Sequence, residues 1–158
     1  MVTVEDTKSE TTFDPCEALT AIAVGAARAD GSVLPCEAAR LEHTLSSLAV
    51  FHGLSAEAFR AIVDRVARQV SDDNGGSMVR RAAAALPPQL RGTAFAIGVD
   101  ILLSDGRMRA SERRFVEDLR RLLRLRRSFA AKVLGVLQTK NYVWPRVRSA
   151  TRAPGLAL

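Results

Sequence analysis

Four carboxylates, set in two similar turns, are the residues of this chain best suited to chemistry. Asp30-Gly31 is followed by Glu37, and Asp105-Gly106 by Glu112, with seven positions from aspartate to glutamate in each case. An Asp and a Glu brought together across a tight turn offer hard oxygen donors, which suit Ca²⁺, Mg²⁺ or Mn²⁺. Two carboxylates alone make a weak site, so water, backbone carbonyls or the other turn must complete the coordination. The same residues also have a plainly structural use. Asp accepts backbone N–H groups in a turn while Gly takes a positive φ, and a Glu near the third helical position sits in the field of the helix N-terminus. A full capping box would need Ser, Thr or Asp three residues before each glutamate. Leu34 and Arg109 stand there instead, so the reciprocal half of that motif is missing from both turns. At the level of sequence both uses stay open.

Other reactive residues are few. Asp100 interrupts the apolar run Phe95, Ile97, Val99, Ile101, Leu102, and a partly buried carboxylate needs a partner; an arginine from a neighbouring helix is the expected one. His43 and His52 lie near no nucleophile in a recognisable order and read as surface residues. Cys16 and Cys36 have no CxxC spacing and read as unpaired thiols. No GxSxG, P-loop, GxGxxG or HExxH occurs, so an enzyme reading has no residues to rest on.

The elements that carry these residues are helical. Ala, Leu and Arg dominate, aromatics make up only 5%, and runs of β-branched residues are almost absent. Asp14-Pro15-Cys16-Glu17 is a helix start, with Asp as cap, Pro first and Glu three residues after the cap. That helix is apolar nearly all round to about Ala29. A second begins near Pro35, carries Leu41, Leu45 and Leu48, and ends at His52-Gly53. Ser55 caps a third, striped by Phe59, Ile62, Val63, Val66 and Val70. A short fourth runs from Ser77 to about Leu86, and a fifth, apolar on most faces, from Pro88 to about Leu103. The sixth runs from about Ala110 to Leu125 and the seventh from Ser128 to about Leu137. The expectation is an all-α, compact bundle of about seven helices.

Three segments are expected: a polar, acidic and disordered stretch at 1–13, one helical domain at 14–140, and a basic, loosely held tail at 141–158. The N-terminus lacks the basic and apolar regions of a signal peptide, and no apolar run approaches the roughly 20 residues that a membrane span needs. A soluble, cytoplasmic protein is expected.

Laying the first half on the second with an offset of 75 aligns Asp30-Gly31 with Asp105-Gly106 and Glu37 with Glu112. Ile22 falls on Ile97, Val24 on Val99, Glu42 on Glu117 and Leu48 on Leu123. Each half holds a buried helix, an Asp-Gly turn and an amphipathic helix. The turn Ala29-Asp30-Gly31-Ser32-Val33-Leu34-Pro35-Cys36-Glu37 resembles the A-D-G-x-V-x-P-x-E turn of TerB-like domains, and residues 104–112 resemble its second copy. The resemblance spans roughly residues 14–140. It implies a bundle of two pseudo-symmetric halves acting in resistance to tellurite and other stresses. It further implies protein partners within a stress-response complex at the inner membrane surface, and Asp30, Glu37, Asp105 and Glu112 as candidate metal ligands for a divalent cation.

Charge is unevenly spread. Residues 1–79 hold 6 basic and 12 acidic side chains, residues 80–158 hold 17 and 5. Arg120, Arg121, Arg124, Arg126 and Arg127 gather where the sixth helix ends, and Tyr142, Trp144, Arg146 and Arg148 follow in the tail. Cations at a helix C-terminus are favourable in themselves. The alternative use is as a binder of nucleic acid or an anionic membrane surface. Nucleic acid is the less expected of the two, because neither a helix-turn-helix signature nor an aromatic platform is present.

Overall fold

The structure is a computed structural model describing residues 13–29, 35–72, 76–104 and 107–143, with the helical residues 35–40 and 70–72 described by backbone alone. Among the described residues there are seven α-helices and no strand. They are α1 (Pro15–Ala27), α2 (Pro35–Ser46), α3 (Ala56–Asp72), α4 (Gly76–Ala85), α5 (Pro88–Leu102), α6 (Ala110–Leu122) and α7 (Arg127–Lys140). A 3₁₀ turn, Ala49–Phe51, lies between α2 and α3. The all-α class expected from composition is the class observed.

α1 is the central helix. It packs against α2, α3, α4 and α5, and every residue from Glu17 to Ala26 is buried. A helix apolar on all sides has no solvent face to offer, so it must sit inside the bundle. Its one buried hydroxyl is satisfied locally, as Thr20 Oγ1 donates to the Cys16 carbonyl at 2.8 Å. The start is fixed by a complete capping box. The Glu17 N–H donates to Asp14 Oδ1 at 2.8 Å, and the Asp14 N–H donates to Glu17 Oε2 at 3.0 Å. The other Glu17 oxygen pairs with Arg65 at 2.7 Å and so ties α1 to α3. Phe13 is buried beneath the Arg81 guanidinium, 5.2 Å from its ring centre, so the core begins one residue before the expected domain boundary. Residues 1–12 and 144–158 lie outside the described residues.

α5 is the second inner helix, packing on α1, α2, α6 and α7. The amphipathic helices surround this pair. Ile62 and Val66 turn α3 inward, Met78 and Val79 do so for α4, and Leu119 for α6. Glycine sets the closest approach of these layers. A Cβ at Gly25 would overlap Val79 Cγ2 of α4, and one at Gly98 would stand 2.8 Å from Leu119 Cδ2 of α6.

The ends of α2, α6 and α7 differ from the sequence expectation, the last running to Lys140 rather than Leu137. α2 ends at Ser46 rather than near His52, and Leu48 is extended. The Ser46 and Ser47 hydroxyls donate to the carbonyls of His43 and Thr44 at 3.0 and 2.7 Å, competing with the helical ladder. α6 ends at Leu122 rather than Leu125, in a Schellman turn. The Leu125 N–H reaches the Arg120 carbonyl and the Arg124 N–H the Arg121 carbonyl, each at 3.0 Å. Arg124 takes the left-handed position, with φ of 55°, where glycine is the usual residue. Arg124→Gly is therefore expected to stabilise the protein by about 0.5–1 kcal/mol. Chemical denaturation checks this, and a destabilised variant would mean that the arginine side chain makes a compensating contact.

Candidate functional site

The two acidic turns leave their helices in the same way. α1 and α5 end 75 residues apart, and α2 and α6 begin 75 residues apart. At the end of α1 the Arg28 N–H donates to Val24 and the Ala29 N–H to Ala26, at 3.1 and 3.0 Å. At the end of α5 the Leu103 N–H donates to Val99 and the Ser104 N–H to Ile101, at 3.0 and 3.2 Å. All four donor–acceptor pairs coincide under the offset. Glu37 and Glu112 are each the third residue of the helix that follows. Asp30 and Asp105 lie outside the described residues, and Glu37 is described by backbone alone.

Glu112 is the candidate ligand whose side chain is described. It is 7% exposed, and its Oε2 accepts the Arg109 N–H at the helix cap. An arginine side chain has no acceptor to return the bond. Half a capping box is thus formed, on the glutamate side only. This geometry commits one carboxylate oxygen of Glu112 to the helix cap. Among the described residues no three of His, Cys, Asp and Glu gather closely enough to hold a metal.

The remaining candidates are accounted for by structure. Asp100 is partly buried, as expected, but its described hydrogen bonds come from the end of α7. Lys140 Nζ reaches both carboxylate oxygens at 2.8 and 2.7 Å, and Asn141 Nδ2 reaches Oδ1 at 2.7 Å. The expected arginine is not among these donors, and that α7 ends over the last turn of α5 is a tertiary fact no local spacing reveals. Cys16 donates to the Val50 carbonyl, and burial, reinforced by the charges of Asp14 and Glu17, pushes its thiol above the ordinary range. It is a poor nucleophile at neutral pH. His43 and His52 are exposed.

The arginine cluster divides into two groups. Arg120 is largely buried and fully engaged: Nε and Nη2 donate to the two Glu117 oxygens at 2.9 and 2.8 Å, and Nη1 to the Leu125 carbonyl at 2.7 Å. It braces the turn between α6 and α7. Arg121 shares Glu117 Oε1 at 3.1 Å. Arg124, Arg126 and Arg127 are exposed. The hydrogen bond from Arg120, with the charges of both arginines, lowers the Glu117 carboxyl to about 2. A folded-state value depressed in this way contributes stability above the unfolded value near 4.5, and that stability is lost as pH falls toward 2. Wild type is therefore expected to exceed Glu117→Gln in stability at pH 6, with the gap closing between pH 4.5 and 2. Paired denaturation curves across that range check it; a gap independent of pH would contradict the pairing.

The fold is that of an all-helical bundle whose two inner helices each lead through an acidic turn into an amphipathic helix. Residues 16–133 match the family described as tellurite resistance protein TerB. The chain belongs to the TerB family. No curated protein and no solved structure matches it. Among the described residues no helix is long and apolar enough to cross a membrane.

Proposed function

We propose that this chain is a non-enzymatic interaction module of a tellurite-resistance or stress-response system, and that its two acidic turns bind a divalent cation weakly. Asp30 and Glu37 supply the carboxylates of one turn, Asp105 and Glu112 those of the other. The supporting observation is the repetition of the turn exits, hydrogen bond for hydrogen bond, with a glutamate at the third position of the helix beyond each. Ca²⁺, Mg²⁺ and Mn²⁺ are the ions such donors suit. A cation there would join the end of an inner helix to the start of an outer one, coupling ion occupancy to the surface offered to protein partners.

Thermal melting of the full chain with increasing Ca²⁺ or Mn²⁺ tests the reading. An ion that binds only the folded state raises the midpoint with concentration, and Asp30→Ala with Asp105→Ala should abolish the rise. A midpoint unmoved by millimolar ion would remove the metal from this account.

A second reading, attachment to an anionic surface through the C-terminal half, is favoured by one observation. The cations of that half outnumber the carboxylates near them. Residues 107–143 contain eleven basic and three acidic side chains, and one of the eleven, Lys140, pairs with Asp100 outside that stretch. Glu112 is held at its cap, and Glu117 and Asp118 face Arg120 and Arg121.

A further inference from the structure

Among the described residues, most of the exposed large apolar side chains fall on the segment that holds the exposed cations Arg126, Arg127 and Lys132. Five large hydrophobic residues are exposed among those described, and four of them lie at 129–143: Phe129, Val136, Tyr142 and Val143, at 40, 68, 67 and 62%. α7 packs on α5, with Ala130 buried and Val133, Leu134 and Leu137 partly buried against the core. Beside that contact, Phe129, Lys132 and Val136 follow one another at spacings of three and four, so they line one side of the helix. Arg126, Arg127 and Lys132 are exposed and make no ion pair among the described residues. Residues 127–143 include no acidic side chain.

We infer that α7 and the residues just after it form a docking surface for a bilayer rich in acidic phospholipid. The inference rests on the second reading above and narrows it to one partner. Cations alone would serve any polyanion, but exposed aliphatic side chains gain nothing against a phosphate backbone. Val136 and Val143 gain by entering the boundary between headgroups and acyl chains, while the long basic side chains beside them extend to the lipid phosphates. Tyr142 brings an amphipathic ring of the kind that settles at that depth, and the exposed edge of Phe129 adds apolar surface. Attachment by such a short stripe is shallow and reversible, and it needs both components: acidic lipid for the cations and apolar contact for the stripe.

The test uses the full chain and vesicles of phosphatidylcholine with or without phosphatidylglycerol. Flotation, with the fluorescence of the single tryptophan Trp144 as a second readout, should show binding to the acidic vesicles. Binding to phosphatidylcholine alone should be weaker by at least about tenfold, and added salt should weaken the acidic-vesicle binding. Val136→Glu, at a site too exposed to disturb folding, should lower acidic-vesicle affinity about tenfold. Leu54→Glu, at an exposed apolar residue away from α7, should leave it unchanged. Vesicle binding that Val136→Glu does not alter would overturn the inference. So would salt-sensitive retention on heparin or DNA without vesicle binding, although the wider anionic-surface reading would then stand. Absence of both would remove the two together.

Discussion

Phe95→Ala is expected to destabilise the protein by about 3–5 kcal/mol, the largest effect of any single truncation considered. Phe95 is fully buried on α5, one of the two inner helices. Removing its ring forfeits the transfer free energy of the side chain and leaves a cavity that rigid helices on several sides cannot close. A domain of this size is stable by about 5–15 kcal/mol, so the variant should unfold at much lower denaturant or fail to accumulate. Phe129→Ala is the internal control. Its ring is 40% exposed and rests on the α5 backbone at Gly92, so the loss should stay near about 1 kcal/mol. Denaturant midpoints of the two variants measure the contrast. Equal losses would mean that α5 is not an inner helix.

Gly25→Ala follows, with an expected loss of up to about 2 kcal/mol after two opposing effects are combined. Alanine in a helix interior gains about 1 kcal/mol over glycine. Against this, the new Cβ would overlap Val79 Cγ2, an atom of a stiff β-branched side chain that cannot rotate away cheaply, and overpacking costs about 1–3 kcal/mol. Gly135 on α7 has no heavy atom within 4 Å of its imagined Cβ. Gly135→Ala should therefore stabilise by about 0.5–1 kcal/mol. Two glycines, both within helices, are thus expected to respond with opposite sign. In Gly25→Ala/Val79→Ala the added methyl finds space, so the double variant should lose less than the sum of the two single losses.

Helix starts were the most readable part of the sequence, because capping chemistry is local. Asp14 and Glu17 form the box that their spacing demands, and Ser55 Oγ accepts the Ala58 N–H at 3.1 Å. Inner and outer helices could also be told apart. α1 and α5 lack a polar face, whereas the stripe of α3 is bounded by charge. Helix ends were harder to place. The Schellman turn after Leu122 uses Arg124 where glycine would have marked it, and α7 runs three residues past the expected Leu137 to Lys140, which pairs with Asp100. The Asp100 partner itself lies 40 residues away, beyond the reach of any periodicity. For the candidate site, the sequence offered the offset of 75 and the missing cap residues, and Glu112 behaves as half of a box. Glu112 and the aspartates of the turns are where the metal reading stands.

The inner helices explain why the turns recur. Each inner helix is followed after a short connection by an outer helix, and an acidic residue at the third position of that helix favours its N-terminus. On the proposed reading, an ion is held between the aspartate that follows each inner helix and the glutamate at the third position of the next helix. Isothermal titration of Mn²⁺ into the full chain examines that idea most directly. Binding with a dissociation constant of about 10⁻⁴–10⁻³ M, weakened at least about tenfold by Asp30→Ala combined with Asp105→Ala, is the predicted result. Heat that is absent up to millimolar Mn²⁺, or that persists undiminished in the double variant, would contradict it.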